Sequence, residues 1–360
     1  MNYNDRPYYN ELPYDPSDVD IRQQTFTVGY IVDMIYHGEI ELWREKDYQR
    51  KIGSWSKNQK SRLIESLIMR IPLPIFYFDG SERPWKVVDG LHRLTTLHGF
   101  IVHNDFTLHD LEYLKDLEGY NFSELPFQYQ RVIQQSQIQA YVINPGTPDK
   151  VKLNIFQRIN TGGSSLSRQE IRNAYYRGVP ADYLDTLSTL NEFLRATQNK
   201  FSEKKMKNKE AVLRFFAFYK FLDDYAPPME KFLDFAMEEI YRTDPAELQD
   251  IKYRFANSMW ACNRLFNENA FYYLNRNGHR EGNNINIALF ETWAVNLARL
   301  SENELDKIVN SKNLIIPDFL MLLQDLEFNR SFTSSTSGRR AVQIRFQHIS
   351  YLIQHTLNAY

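Results

Sequence analysis

The residues best placed to do chemistry lie in V-V-D-G-L-H-R-L, residues 87–94. The pattern predicts a strand, a tight turn and a helix. Asp89 falls where an N-cap is wanted, and its carboxylate could accept the backbone N–H of His92. Gly90 permits close backbone approach. His92 and Arg93 then occupy the first helical turn. A cation there opposes the helix dipole at about 0.3–1 kcal/mol, and an anion bound at the same end reverses that penalty. Free N–H groups, a permissive glycine and a guanidinium together suit a phosphate. A structural ion pair between Arg93 and Asp89 suits the same spacing, and from spacing alone both readings stand.

Two further segments carry weaker signals. Tyr48-Gln49-Arg50 precedes a capped helix, so its side chains could reach the same cleft; a solvated loop is the plainer account of so common a dipeptide. In Ile155–Ser167 the turn Asn160-Thr161-Gly162-Gly163-Ser164 could aim successive N–H groups at an anion. A connection that needs glycine only for its backbone explains that turn without a ligand. Asp79 and Asp89 end neighbouring predicted strands and could share a Mg²⁺; two turn aspartates are the plainer account.

The elements that would hold these residues follow from periodicity. Residues 1–24, with Pro7, Pro13 and Pro16, read as an extended arm. Residues 26–36 suit a short helix. Ser56 opens a capping box with Gln59, and the helix behind it sets Leu63, Ile64, Leu67 and Ile68 on one face. Residues 75–78 and 85–88 read as antiparallel strands around a Gly80–Pro84 turn. Residues 137–142 read as another strand, and 148–158 as a helix. Ser167 and Glu170 form a second capping box. Beyond residue 180, segments near 183–196, 208–224, 229–241, 246–270, 285–300, 302–310, 316–326 and 340–357 read as helices. The expected fold class is α+β: an arm (1–24), a domain with a small mixed sheet and helices (25–180) and an all-helical half (181–360).

Composition narrows the classes. The net charge of −2 gives no global attraction to nucleic acid, so any DNA contact must come from a local patch. The chain has no Asp or Glu after Glu327, while Arg330, Arg339, Arg340 and Arg345 follow it. Arg339, Arg340 and Arg345 are therefore the DNA-contact candidates, with the Ser/Thr-rich stretch 331–338 beside them. The single cysteine, Cys262, excludes an internal disulfide and reads as a small core residue. The polar, acidic start and the lack of an apolar run of roughly 18 residues predict a cytoplasmic protein. No H-E-x-x-H, Walker A or G-x-S-x-G pattern occurs.

Taken in order, Y-Q-R, W-x3-Q-x3-L-I-x-S before P-x-P, V-D-G-x-x-R-L and F-x-R-I-N-x-G-G-x-x-L-S-x-x-E resemble the N-terminal domain family of GmrSD-type restriction endonucleases. The resemblance runs from about residue 25 to 180, with an echo in Lys209–Arg214. It implies a ParB-like, sulfiredoxin-like fold that binds, and in some cases hydrolyses, an NTP with Mg²⁺, in a system where a nuclease subunit cuts DNA. Carried over, Asp89, Gly90 and Arg93 match the family's Asp-Gly-Gln-Gln-Arg signature. Gln49 and Arg50 match its first Gln-Arg pair, and Arg158, Asn160 and Gly163 its third motif, with Ser164 adjoining. Asp89, His92 and Arg93 would be the catalytic set, and Asp89 the magnesium ligand. Leu91-His92 departs from the family's Gln-Gln, which puts hydrolysis in question more than binding. A DNA-binding module without turnover and an inactive partner-binding scaffold are the alternatives.

Overall fold

A computed structural model describes residues 15–42, 55–148, 151–152, 154–155, 159, 167–176 and 178–359. They form an α+β protein with a small mixed sheet in its first part and helices throughout its second. The chain divides into two compact units, 11–163 and 164–360.

The first unit is built on strands β1 (Ile21–Thr27), β2 (Ile40–Glu41), β3 (Phe76–Asp79), β4 (Trp85–Asp89) and β5 (Gln137–Ile143), in the spatial order β1-β5-β3-β4-β2. β3 and β4 are antiparallel, as the intervening turn predicts, while β3 and β5 run parallel. Residues 21–24 were expected in the arm. They instead form the first half of β1, which pairs with β5 from Ile21↔Ile143 to Thr27↔Gln137. IRQQTFT has no clean alternation, and only the partner strand makes it a strand.

Helix α1 (Val28–Tyr36) follows β1 directly, capped by Thr27. Helix α2 (Lys57–Ile68) has the expected Ser56–Gln59 capping box and buries Leu63, Ile64, Leu67 and Ile68. Helix α3 (Leu91–His98) continues into one π turn, Gly99–His103, and α4 (Phe127–Gln135) precedes β5. The helices cover the face of the sheet that carries Phe76, Phe78, Ile138, Ala140 and Val142.

In the second unit α5 (Arg168–Tyr175) opens on the expected Ser167–Glu170 capping box. Then come α6 (Val179–Ser188), α7 (Asn191–Ala196), α8 (Lys207–Phe221), α9 (Met229–Arg242) and α10 (Pro245–Phe266). After them are α11 (Ile287–Ala298), α12 (Glu302–Asn310), α13 (Lys312–Leu322), α14 (Leu326–Thr333) and α15 (Arg339–Asn358). Eleven consecutive residues of α11, Ala288 to Ala298, are buried, so it is the central helix. Cys262 is fully buried in α10, the core residue its sequence context suggested.

Candidate functional site

β4 delivers Asp89 to the edge of the sheet, and Gly90 turns the chain into α3. Gly90 is the N-cap, with φ of 98° and no side chain to cap the helix. Asp89 was expected to be that cap. Its carboxylate accepts instead from Arg93 Nη2 at 2.9 Å. The cap position has shifted one residue along because the turn needs a left-handed backbone, which glycine takes without strain. Gly90 therefore supplies α3 with no side-chain cap.

Arg93 is anchored on several sides. Besides Asp89, its guanidinium donates to the carbonyls of Pro74 and of Ile75, the latter at 3.2 Å, and lies 4.1 Å from the centroid of the Phe76 ring. Its side chain is 11% exposed. Burial pulls its pKa down, and the Asp89 carboxylate opposes this. The structural ion pair weighed against phosphate binding is thus present. It leaves Nε–H and one Nη1–H of Arg93 unused among the described residues.

Gly90 is required twice over. A Cβ there would sit 2.4 Å from Phe76 Cδ1, besides facing the positive φ. Gly90→Ala is expected to cost on the order of 1–3 kcal/mol from backbone strain alone, with the Phe76 clash added. Urea unfolding of the variant checks this; an unchanged midpoint would remove the argument.

His92 stacks on Trp55, with centroids 5.9 Å apart and planes 14° apart. Burial holds its imidazole below the usual histidine range, against the pull of Asp89. Tyr77 lies opposite Asp89 on β3 and stacks at 5.3 Å on Tyr141. Burial raises its pKa, and Tyr141 and Asp89 add to the effect. No local motif marks Tyr77 or Tyr141; only the strand register brings them to Asp89.

The shared magnesium site is corrected by the same register. Asp79 pairs with Lys86, whereas Asp89 pairs with Tyr77. The two aspartates therefore lie at opposite ends of the antiparallel pair, about 10 Å apart along the strand. Asp79 accepts from the backbone N–H and hydroxyl of Ser81 at 3.0 and 2.6 Å, and Ser81 accepts from Lys152 at 2.9 Å. Among the described residues no group of three metal-ligating side chains exists. Asp89 alone does not make a magnesium cage; waters and ligand phosphates would have to supply the remaining ligands.

Gln49, Arg50, Arg158, Asn160, Gly163 and Ser164 lie outside the described residues. Of the three DNA-contact candidates, Arg345 is overturned. It is wholly buried, bound to Glu291 and to the carbonyls of Ser331 and Thr336. Arg345 thus ties two carbonyls of the 331–338 stretch to the core, and Tyr225 donates its hydroxyl to the Ser337 carbonyl, while Thr333, Ser334, Ser335 and Ser337 stay exposed. Arg340 is exposed and pairs with Glu327, its Nε 2.8 Å from the carboxylate. Arg339 borders a shallow cleft with Asp223, Tyr225 and Gln343. The Glu210–Arg214 pair at 3.0 Å is the expected i,i+4 contact, but Arg214 is largely buried and also reaches the buried Glu291. Glu291 was missed, although a lone acid in the apolar run A-L-F-E-T-W-A-V was a visible signal.

The described residues thus define an α+β protein whose best-formed polar site is a strand–glycine–helix turn at the edge of a mixed sheet. Residues 31–177 match the family described as GmrSD restriction endonuclease, N-terminal domain. Neither a curated protein nor a solved structure matches the chain. Among the described residues no helix is long and apolar enough to cross a membrane.

Proposed function

We infer that this protein is a nucleotide-dependent regulatory or sensor component of a restriction system, and that the Asp89–Arg93 turn receives the ligand's phosphates. One observation carries this reading: α3 begins at a left-handed glycine with no side-chain cap, inside the family-matched segment, with a guanidinium that has two N–H groups unused among the described residues. Backbone N–H groups and the dipole at that end favour an anion. Arg50, Asn160, Gly163 and Ser164 are proposed as further phosphate-binding residues because they match the family's motifs. Magnesium would arrive with the phosphates, held on the protein side by Asp89. Leu91 offers no hydrogen bond where the family signature has glutamine, so binding is proposed ahead of hydrolysis. The nuclease that such a component controls would be a separate subunit.

The test is thermal unfolding with ATP, GTP, CTP and UTP, each with and without Mg²⁺. One nucleotide at about 100 times its Kd should stabilise the protein by roughly 2.7 kcal/mol. Arg50→Ala should remove the shift while the far-UV spectrum stays native. No shift with any nucleotide overturns the reading. A second expectation concerns His92. Its titration, followed by NMR, should begin below the usual histidine range and move upward when a triphosphate binds, because the anion stabilises the imidazolium. A titration that does not respond to the bound nucleotide would place the phosphates elsewhere.

A further inference from the structure

The two edges of the sheet differ. β2 closes one side with two residues. β1 closes the other with seven, Ile21–Thr27, and pairs with β5 along its whole length without a register shift. The Asn144 N–H donates to the Asp20 carbonyl and the Val28 N–H to the Ser136 carbonyl, both at 2.9 Å. These bonds bracket β1 and fix the phase of its ladder: residues 20, 22, 24, 26 and 28 bond toward β5. Ile21, Gln23 and Thr25, and the N–H of Thr27, therefore turn their backbone groups away from the sheet, and no described residue bonds them. Natural sheets blunt a long edge with charges, proline, a bulge or a covering element. IRQQTFT contains no lysine and no proline. Its one charge, Arg22, is matched by Asp20 at 3.3 Å. Among the described residues β1 is thus a long edge with little to blunt it.

We propose that β1 of a second copy of this chain completes this edge, antiparallel, about a two-fold axis at Gln24. Ladder bonds form only where outward-bonding residues of both strands stand opposite one another. Centring the pair on Gln24 does this along the whole strand. Ile21 meets Thr27 of the second copy, and Gln23 meets Thr25. Between these pairs Arg22 lies opposite Phe26, and Gln24 opposite its own counterpart. The side chains suit this register. No like charges meet, and a guanidinium stands across from an aromatic ring. Asp20 comes opposite Val28 of the second copy, the first residue of α1, where the helix dipole favours a carboxylate. The edge is therefore complementary to itself, and two-fold symmetry makes each contact twice. Two five-stranded sheets become one of ten. Across the sheet Gln23 aligns with Tyr141, Tyr141 with Tyr77 and Tyr77 with Asp89. The second copy would extend the row that ends at the Asp89–Arg93 turn. The proposal does not depend on what that turn binds.

The experiment is sedimentation of the full chain over a dilution series, with amide exchange read at both ends of it. One strand pair is a small interface, so the expected result is a dimer that dissociates on dilution. Gln23 and Thr25 amides should be protected in the dimer and exchange freely in the monomer. Thr25→Pro removes an outward N–H and leaves the bonds to β5 in place, so it should weaken the dimer about tenfold with an unchanged far-UV spectrum. Gln24→Lys and Gln24→Glu should each weaken it by setting like charges across the two-fold axis, and an equimolar mixture of the two should restore it. A chain that stays monomeric throughout the series overturns the proposal. So does a dimer indifferent to all three variants. Protection of the Gln23 and Thr25 amides in the monomer would assign the edge to another segment of the same chain, which also overturns it.

Discussion

Replacing Glu291 by glutamine should destabilise the helical unit by about 3–5 kcal/mol. Glu291 is fully buried, and one carboxylate oxygen meets Arg214 at 3.3 Å while the other meets Arg345. Arg214 also holds Glu210, so two guanidinium and two carboxylate groups balance. Burial works against the charged form of Arg214, yet Glu291 and Glu210 outweigh it and hold its pKa above the ordinary arginine value. Removing one carboxylate charge leaves a buried cation uncompensated, which costs more than the ion pair itself contributes. Arg345 further anchors the carbonyls of Ser331 and Thr336, so the 334–338 link and the start of α15 should loosen together. Urea unfolding followed by circular dichroism measures the loss. A cost under about 1 kcal/mol would mean that water reaches the network. The double change Glu291→Met with Arg345→Met should recover part of the loss, because no buried charge of that pair remains.

The second large effect concerns Glu65 in α2. Only 4% exposed, it accepts backbone N–H bonds from Glu112, Tyr113 and Leu114 at 3.0, 2.8 and 2.9 Å. These bonds tie α2 to the loop that buries Leu108, Leu111 and Leu117. Burial raises the Glu65 pKa, but the three N–H groups and the Lys115 ammonium overcome it and hold the carboxyl below its usual range. A folded pKa below the unfolded one means that the stabilisation is present above the ordinary carboxyl pKa. It is lost as pH falls below about 4.3. Glu65→Gln, which offers one acceptor to three donors, should cost about 2–3 kcal/mol at pH 7. The gap between the two proteins should shrink on acidification. A gap that stays constant from pH 7 to pH 3 would show that the carboxylate charge contributes nothing.

Both networks bear on function through position. α2 starts just after Trp55, whose ring lies on His92, and packs beside α3. The Arg345 network sets the first turns of α15, where Arg339 and Arg340 lie. Loosening either should disorder those side chains before the whole unit unfolds.

Local patterns determined much of this protein. The capping boxes at Ser56 and Ser167, the strand–glycine–helix turn at 85–98, the antiparallel β3–β4 pair and the run of helices after residue 180 each rest on contacts within a few residues, which spacing records. What depends on distant partners was decided by the tertiary structure. β1 is a strand because β5 lies beside it. Asp79 and Asp89 are kept apart by strand register, and Tyr77 and Tyr141 are brought together by it. Arg345 looked like a surface cation because its charge dominates any local reading. Yet it lies on the same helical side as Phe346, Ile349 and Leu352, and only a buried acid contributed by α11 makes that position habitable. A buried charge is stable only with a partner, and the partner comes from fifty-four residues away.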